Sequence, residues 1–287
     1  VLEYRLWVAE AQVMAILTKP VIDGAHWYTR DGKPCHTVLD AKGNERPTHK
    51  GDARGLDLVP SVTTCTGIYS KPGINRWREM HIAKAAKLVV RGDSDDASWM
   101  RKVREVAEVE MERGREFGTA THHVVEYFLH KGDWPTEAKE EHVHVARKMW
   151  NVVRDIMSPT TKILAIEKVV VDNQVGYGGA IDLILGKGNW TGIIDWKTKT
   201  TKGYVIQRPP EYMMQIPAYA HALGLRPHKD EFSLANVFGS NDEPDRPAEM
   251  MTYKDHDEIE YWRDSFMLTH AMWCRLNNFQ PQQKETK

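Results

Sequence analysis

The feature that most constrains the fold is a series of three consecutive apolar runs, two of which carry an aspartate among their Ile and Val residues. The runs occupy residues 162–172, 178–186 and 191–199, and segments containing Gly and Asn separate them. Short runs of this composition, bounded by turn-forming residues, are typical of β-strands. We therefore predict three consecutive strands that form one antiparallel meander.

Helical patterns precede this meander. Apolar residues recur at helical spacing over 75–90, 98–131 and 136–157, with Ser98 as the N-cap of the second helix. Near the N-terminus, residues 26–38 place Asp31-Gly32 between two β-prone runs and predict a hairpin, whereas 41–58 have the composition of a loop. After the meander we predict a helix over 210–223, strands over 232–239 and 248–254, and a last helix over 257–277.

Composition limits the class of protein. The chain has 39 basic and 40 acidic residues, so its bulk charge does not indicate a nucleic-acid binder. The sequence has no apolar run near the roughly 20 residues of a membrane-spanning helix, and we expect an intracellular, cytoplasmic protein of a bacterium or phage-infected host. Cys35, Cys65 and Cys274 form no CxxC pair, so neither a zinc site nor a disulfide framework is expected.

Two acids and a lysine in the predicted meander are the central candidates for chemistry. Asp182 and Asp195 lie 13 positions apart, each inside an apolar strand, where a carboxylate is costly to bury unless it is paired or binds a metal. Strand residues alternate between faces, so Asp195 and Lys197 share one side and Trp196 points away. A hairpin that brought Asp182 beside Asp195 would create an oxygen site for a divalent cation, with Mg²⁺ as the expected occupant.

Such a site is suited to phosphodiester hydrolysis. The cation would activate water and neutralise phosphate, while Lys197 oriented the water or stabilised developing negative charge. A D-x-K pattern in a strand is also compatible with a salt-bridged surface strand, and further residues are needed to decide between the two.

Several polar residues outside these two strands are further candidates. His122 and Glu126 are spaced i, i+4 and face the same way on a predicted helix, as a metal-site pair or as a partly buried ion pair. Glu167 is a ligand, a water-positioning group or an edge-strand charge. Gln215 and Tyr219, also i, i+4, either contact DNA or form a polar helix face with a half-buried ring.

Taken together, these residues resemble the RecB-type branch of the PD-(D/E)XK nucleases. In that branch a G-x-x-x-H helix precedes the core strands, as Gly118 to His122 does here, and a Q-x-x-x-Y helix follows them, as Gln215 to Tyr219 does. Within the branch, the chain most resembles the mitochondrial genome maintenance exonucleases and their bacterial and phage relatives. These share a P-S-V-T segment and a Trp-Arg helix, which here are residues 60–63 and 77–78.

The resemblance spans residues 58–224 and implies a fold. It is an α/β (α+β) fold with a restriction-endonuclease-like core, in which a central mixed sheet is flanked by helices and preceded by a helical N-terminal part. We expect an appendage of hairpin and loop over 1–57, and a nuclease domain over 58–287 that includes the helical segment 75–157.

The resemblance also implies a site. His122, Asp182, Asp195 and the backbone carbonyl of Trp196 would bind the metal, Lys197 would be catalytic, and Glu167 would be a less strictly required site residue. The residues expected to support the site or contact DNA are Ser61, Thr63, Trp77, Arg78, Thr198, Gln215 and Tyr219. Because the cluster found in some relatives needs four cysteines and this chain has three, we expect no iron–sulfur cluster.

The function predicted from these residues is that of a metal-dependent DNA exonuclease, using Mg²⁺ or Mn²⁺ and preferring single-stranded or frayed ends, in replication, recombination or repair. Its partner is DNA, and a recombinase or helicase partner leaves no mark in the sequence. One alternative is a structure-specific endonuclease or nickase on the same core. Another is a catalytically inactive DNA-binding recombination protein, against which the intact Asp182, Asp195 and Lys197 argue.

Overall fold

The structure, a computed structural model, describes residues 25–69, 72–202 and 205–281. The first elements are β1 (Trp27–Tyr28), β2 (Thr37–Leu39), β3 (Glu45–Pro47), α1 (Lys50–Gly55), β4 (Val59–Pro60) and α2 (Val62–Thr66). Three longer helices follow: α3 (Pro72–Leu88), α4 (Asp96–Lys131) and α5 (Glu140–Ile156). The remaining elements are β5 (Lys162–Asp172), β6 (Tyr177–Lys187), β7 (Trp190–Lys199), α6 (Pro210–Ala222), β8 (Phe232–Ser240), β9 (Glu249–Thr252) and α7 (His256–Leu276).

The short N-terminal elements differ from the sequence prediction. A tight turn at Asp31-Gly32 exists, and the Cys35 N–H donates to the Trp27 carbonyl over 2.8 Å. However, β1 pairs mainly with β4, and β2 pairs with β3, so the predicted single hairpin is wrong in its pairing. The prediction of a loop over 41–58 is also wrong, because this segment contains β3 and α1. Elements of three and six residues are too short to show a period in sequence.

Two predicted helix starts are corrected by their caps. Asp95, not Ser98, caps α4: its carboxylate accepts the Ser98 N–H over 2.9 Å. Both residue types cap helices well, so composition could not choose between them. Helix α5 begins at Glu140 rather than at Thr136, after an N-cap, Lys139, that makes no side-chain capping bond. With no capping side chain at this boundary, the sequence carried no signal for it.

The centre of the fold is a five-stranded mixed sheet of order β5-β6-β7-β8-β9. Strands β5, β6 and β7 form the predicted antiparallel meander. Strand β8 then runs parallel to β7, and β9 is antiparallel to β8. A parallel neighbour requires a crossover, and α6 lies within it. The predicted α/β class and its central mixed sheet flanked by helices are thus confirmed.

Two hydrophobic clusters cover the two faces of the sheet. One joins Ile193 of β7 to Met214 of α6 and Phe266 of α7. The other joins Ile194 of β7 to residues of α4 and α5, including Met149. Because neighbouring β7 residues enter opposite clusters, the centre of the sheet is buried on both faces. A polar side chain in this region therefore needs a partner or a function.

The N-terminal elements share the core with the C-terminal helix. The Trp27 ring lies 6.0 Å from that of Trp273 and 5.2 Å from that of Phe279, measured between centroids. Ala53 of α1 belongs to the same cluster. Residues 1–24 of the predicted appendage lie outside the described residues, and the domain division after residue 57 stays a prediction. In the described part of the chain, none of the helices combines the length and apolar character needed to cross a membrane.

Candidate functional site

The two aspartates of the meander lie opposite each other. Leu183 of β6 pairs with Ile194 of β7, so the next residues, Asp182 and Asp195, face each other where the two strands separate. Asp182 Oδ2 accepts the backbone N–H of Trp196 over 2.7 Å. The Trp196 side chain is buried in the cluster on the α4 and α5 side of the sheet. Register and alternation thus place both carboxylates on one face, as the sequence predicted.

Lys197 is held against these carboxylates. Its Nζ lies 2.6 Å from Asp195 Oδ2, and both side chains are largely buried. The Tyr212 ring of α6 lies beneath it, with its centroid 5.1 Å from Lys197 Nζ and 4.5 Å from Lys199 Nζ. Burial acts to lower the pKa of Lys197, but the negative charges of Asp195 and Asp182 outweigh it and raise that pKa. Lys197 is therefore a cation and a hydrogen-bond donor.

His122 reaches the same site from α4. Its Nδ1 lies 3.8 Å from Asp182 Oδ2. Burial, together with the positive charge of Lys197, lowers the pKa of His122 to about 3. The ring is then neutral near pH 7, which is the form that binds metals. Glu126, one turn further along α4, is buried.

Glu167 faces Asp182 from the neighbouring strand. Ile166 pairs with Leu183 and Lys168 with Ile181, so Glu167 lies opposite Asp182. Its backbone is left-handed, with φ of 50°, which is unfavourable for a residue with a side chain. Burial, then the charges of Asp195 and Glu167, raises the pKa of Asp182 well above its usual range. The three carboxylates therefore repel one another at this point.

This donor set fits a hard divalent cation. Carboxylate oxygens and a neutral imidazole are suitable ligands, and a cation would relieve the repulsion that raises the pKa of Asp182. Within the described residues no group of three His, Cys, Asp or Glu side chains already has the spacing of a complete metal site. Lys197 instead neutralises Asp195. The donors are adjacent, and closure around an ion requires side-chain movement.

Gln215 and Tyr219 lie beneath the site. They are 6% and 4% exposed, and the Gln215 amide donates to the Tyr219 hydroxyl over 3.0 Å. The Tyr219 ring crosses β6 at Gly179, where any Cβ would overlap it. Since protein covers its faces, this ring supports the sheet and offers no surface for a base.

The residues expected to contact phosphate lie in two parts of the fold, at the start of α2 and on β7. Ser61, 2% exposed, caps α2 by accepting the Thr64 N–H, and its Oγ lies 2.9 Å from that of the exposed Thr63. Thr198 lies on β7 against α4, where a Cβ on Gly118 would come within 2.9 Å of the Thr198 hydroxyl. Gly118 thus permits the close approach of α4 that brings His122 to the sheet.

Trp77 and Arg78 lie on α3, which packs against α4. Trp77 packs on His81, with ring centroids 4.3 Å apart, and lines a groove of about 780 Å³ between α3, α4 and the segments after β7 and β8. Arg78 is exposed and is not among the residues lining this groove. The groove reaches Ala120, two residues before His122 on α4.

Sequence reasoning missed Asn236, which lies in β8 beside Asp195. The two residues are register partners, and the Asn236 amide donates to Asp195 Oδ2 over 3.0 Å. A lone amide within the apolar run of residues 232–239 was the available signal. It was not used, because nothing in the sequence showed that this strand pairs with β7.

The comparisons with known proteins agree with this geometry. The family model of the PD-(D/E)XK nuclease superfamily matches residues 134–285, just over half of the chain. A match over this much of the chain indicates a nuclease, which is a hydrolase. The chain belongs to the PD-(D/E)XK nuclease superfamily, whose members generally use divalent metals such as Mg²⁺ and act on DNA.

Comparisons with curated proteins and with solved structures do not extend this assignment. No curated protein matches the chain. A solved structure, described as the crystal structure of SSO0001, is similar at 14% identity over 58% of this chain and 85% of its own, with a TM-score of 0.22. A similarity of this size carries no functional argument.

Proposed function

We propose that this nuclease is a metal-dependent DNA exonuclease of the RecB-type branch, related to the mitochondrial genome maintenance exonucleases, that degrades DNA from single-stranded or frayed ends in replication, recombination or repair. The observation that carries the proposal is the meeting of Asp182, Asp195, Lys197 and a neutral His122 at one point of the sheet. Acid, lysine and imidazole groups together suit metal-assisted phosphodiester hydrolysis.

His122, Asp182, Asp195 and the backbone carbonyl of Trp196 would hold the cation. A bound Mg²⁺ or Mn²⁺ supplies Lewis-acid stabilisation of the phosphate and lowers the pKa of a water molecule. The Trp196 N–H fixes Asp182 through its Oδ2. Glu167 adds negative charge opposite Asp182 and helps attract the cation.

Lys197 acts on the phosphate in this proposal. Its raised pKa keeps it protonated, so it donates hydrogen bonds and stabilises negative charge that develops on phosphate oxygens. The same protonation state makes it unsuitable as a base. Gln215 and Tyr219 support the strand that carries Asp182, through the contact of Tyr219 with Gly179.

The preference for unpaired ends is supported by the groove beside α3. Unpaired bases stack on exposed rings and their phosphates attract cations, whereas the base faces in a duplex are already covered. The groove offers Trp77 for stacking, and its basic residues are Lys84, Arg113, Lys139 and Lys202. Glu116, Glu141 and Asp242 also line it, and the Asp242 carboxylate is occupied by the N–H groups of Thr201 and Lys202. Thr63, Thr198 and Arg78 would contact further phosphates, and the buried Ser61 would act through its hydrogen bond with Thr63.

Cleavage of three substrates tests the proposal: end-labelled single-stranded DNA, end-labelled duplex DNA and a closed single-stranded circle, each with Mg²⁺, Mn²⁺ or EDTA. We expect metal-dependent loss of linear DNA, fastest for the single strand, with the circle untouched. Cutting of the circle would show an endonuclease instead. An absence of cleavage in both metals would contradict the proposal and favour the alternative, a catalytically inactive DNA-binding protein.

The metal preference gives a second test. Imidazole is a softer ligand than carboxylate and suits Mn²⁺ better than Mg²⁺, so Mn²⁺ is expected to support cleavage at least as well as Mg²⁺. His122→Ala should lower activity in both metals and abolish any advantage of Mn²⁺. His123→Ala, on the neighbouring residue, is the matched control. Full activity in Mg²⁺ with none in Mn²⁺ would argue against His122 as a ligand.

A further inference from the structure

Asn236 is an unusual residue for its position in the fold. It lies at the centre of β8, fully buried, between Ala235 and Val237, which both enter a hydrophobic cluster. Its register partner across the parallel β7–β8 pair is Asp195, so the two side chains leave the same face of the sheet. A buried amide needs hydrogen-bond partners, and Asp195 is the partner that the described residues provide.

The orientation of this amide follows from the chemistry of its partner. An ionised carboxylate only accepts hydrogen bonds, so Asn236 must present its NH₂ group to Asp195. Its Oδ1 is then buried and has no hydrogen-bond partner in the described part of the chain. An apolar residue would avoid this unpaired carbonyl, so the amide does not serve the stability of the strand.

Two donors share one oxygen of Asp195. The Asn236 amide lies 3.0 Å from Oδ2, and Lys197 Nζ lies 2.6 Å from the same atom. Lys197 has a flexible side chain and, in the proposed reaction, must donate to phosphate. When Lys197 turns to the phosphate, Asn236 still donates a hydrogen bond to Asp195 Oδ2.

We propose that Asn236 is a positioning residue that holds Asp195 by Oδ2 independently of Lys197, leaving Oδ1 free for the cation while Lys197 moves to the DNA. This inference rests on the proposed metal centre. Side chains that hydrogen-bond a metal ligand commonly change metal affinity by about 10- to 100-fold when removed, because they fix the orientation of the ligand.

The test compares the unchanged protein with Asn236→Leu, which is close in shape and has no donor. Mn²⁺ is titrated into the full chain by calorimetry without DNA, and thermal unfolding is followed by circular dichroism. We expect Mn²⁺ to bind N236L roughly tenfold or more weakly, while its melting temperature is equal or higher because the unpaired carbonyl is gone. Cleavage should show a lower kcat with an unchanged KM for DNA. Asn236→Ala serves as a second variant if N236L fails to fold.

A matched control removes another buried polar group. Thr269 lies in α7, is almost fully buried, and hydrogen-bonds Tyr69, the Ser265 carbonyl and the Met214 sulfur but none of the proposed metal ligands. Thr269→Val should leave Mn²⁺ affinity and kcat unchanged. A loss of affinity in N236L that exceeds the loss in T269V supports positioning, whereas a lower melting temperature with intact affinity would show a structural role and overturn the inference.

A double substitution tests independence from Lys197. In a Lys197→Met background Asn236 is the remaining donor to Asp195, so N236L should lower Mn²⁺ affinity by a larger factor there than in the unchanged protein. An equal or smaller factor would overturn the proposed independence. If the unchanged protein does not bind Mn²⁺, the metal centre itself fails; if it binds and N236L binds equally well, only the present inference fails.

Discussion

At the scale of the residue, Lys197 is the side chain that, in the proposed function, distinguishes a nuclease from a protein that only binds DNA. Its ammonium group contacts Asp195 directly. The negative charges of Asp195 and Asp182 both raise its pKa and so keep it protonated. Lys197→Ala should reduce kcat by at least about 100-fold, the loss typical of removing one preorganised donor, while DNA affinity stays unchanged. End-labelled cleavage and fluorescence anisotropy measure the two quantities.

Lys199→Ala is the matched control, because Lys199 lies on the same face of β7 and also contacts the Tyr212 ring. It should retain most of the cleavage activity. If K197A cuts DNA at the native rate, the assignment of Lys197 to the reaction is wrong.

His36, whose ring lies 5.2 Å from that of Tyr28, provides a pH-dependent contribution to stability. Its Nδ1 accepts the Trp27 N–H over 3.2 Å, and burial, together with the charge of His26, lowers the pKa of His36 to about 4. The unfolded chain binds this proton near pH 6.5, so between pH 6.5 and 4 the unfolded state holds more protons. Stability from this group is therefore complete above about pH 6.5 and falls as the pH drops to about 4.

The melting temperature should consequently fall more between pH 7.5 and pH 5 in the native protein than in His36→Gln, which keeps an acceptor but does not titrate. Comparison of the two isolates His36 from other histidines with lowered pKa values, such as His142 and His270. An identical fall in both proteins would contradict this assignment.

At the scale of the element, β6 and α6 touch through Gly179 and Tyr219. A Cβ at Gly179 would overlap the Tyr219 ring, so Gly179→Ala forces the ring or the helix to move. Overpacking of this kind destabilises by about 1–3 kcal/mol. Urea denaturation should show that loss, and cleavage should fall because β6 carries Asp182.

Tyr219→Leu removes the ring and should relieve the overlap. The double variant should therefore lose less stability than the sum of the losses measured for G179A and Y219L separately. Gly55→Ala is the control, because its Cβ would meet open space. Additive effects would show that Gly179 does not serve to admit the ring.

The sequence predicted the elements that are long enough to show a pattern among neighbouring residues. The meander followed from short runs rich in Ile and Val that Gly and Asn separate, and the adjacency of two strands was enough to bring Asp182 opposite Asp195. It could not resolve α1, which is too short for a helical period, nor choose Asp95 over Ser98 as a cap. Asn236 was beyond reach because its contact depends on β7 and β8 pairing in parallel across 41 residues, a distance at which no local pattern specifies partners.

At the scale of the whole molecule, the N-terminal elements contribute to one core with the C-terminal helix. Trp27 packs on Trp273 and Phe279, and β1 pairs with β4. Truncating a buried Trp to Ala costs about 3–5 kcal/mol, so Trp27→Ala should lower the melting temperature by about 10 °C in a protein of this size. A fragment of residues 58–287 should be destabilised at least as much.

Calorimetry of the full chain, the W27A variant and the fragment checks this expectation. Tyr28, the neighbour of Trp27 in β1, is not a suitable control because it too is buried. Leu39 is suitable because it is 69% exposed, and Leu39→Ala should melt like the native chain. A fragment that melted like the full chain would support residues 1–57 as a separate appendage.

The hydrogen bond that fixes Asp182 determines which substitutions this protein tolerates at position 196. The donor is the main-chain N–H of Trp196, not its side chain, which faces the opposite core. Every amino acid except proline supplies that same donor. A saturation mutagenesis screen would therefore score position 196 as a packing position, tolerant of bulky apolar residues, and overlook its part in the proposed active centre. An amide-to-ester replacement by chemical ligation, which deletes only the N–H, would expose that part.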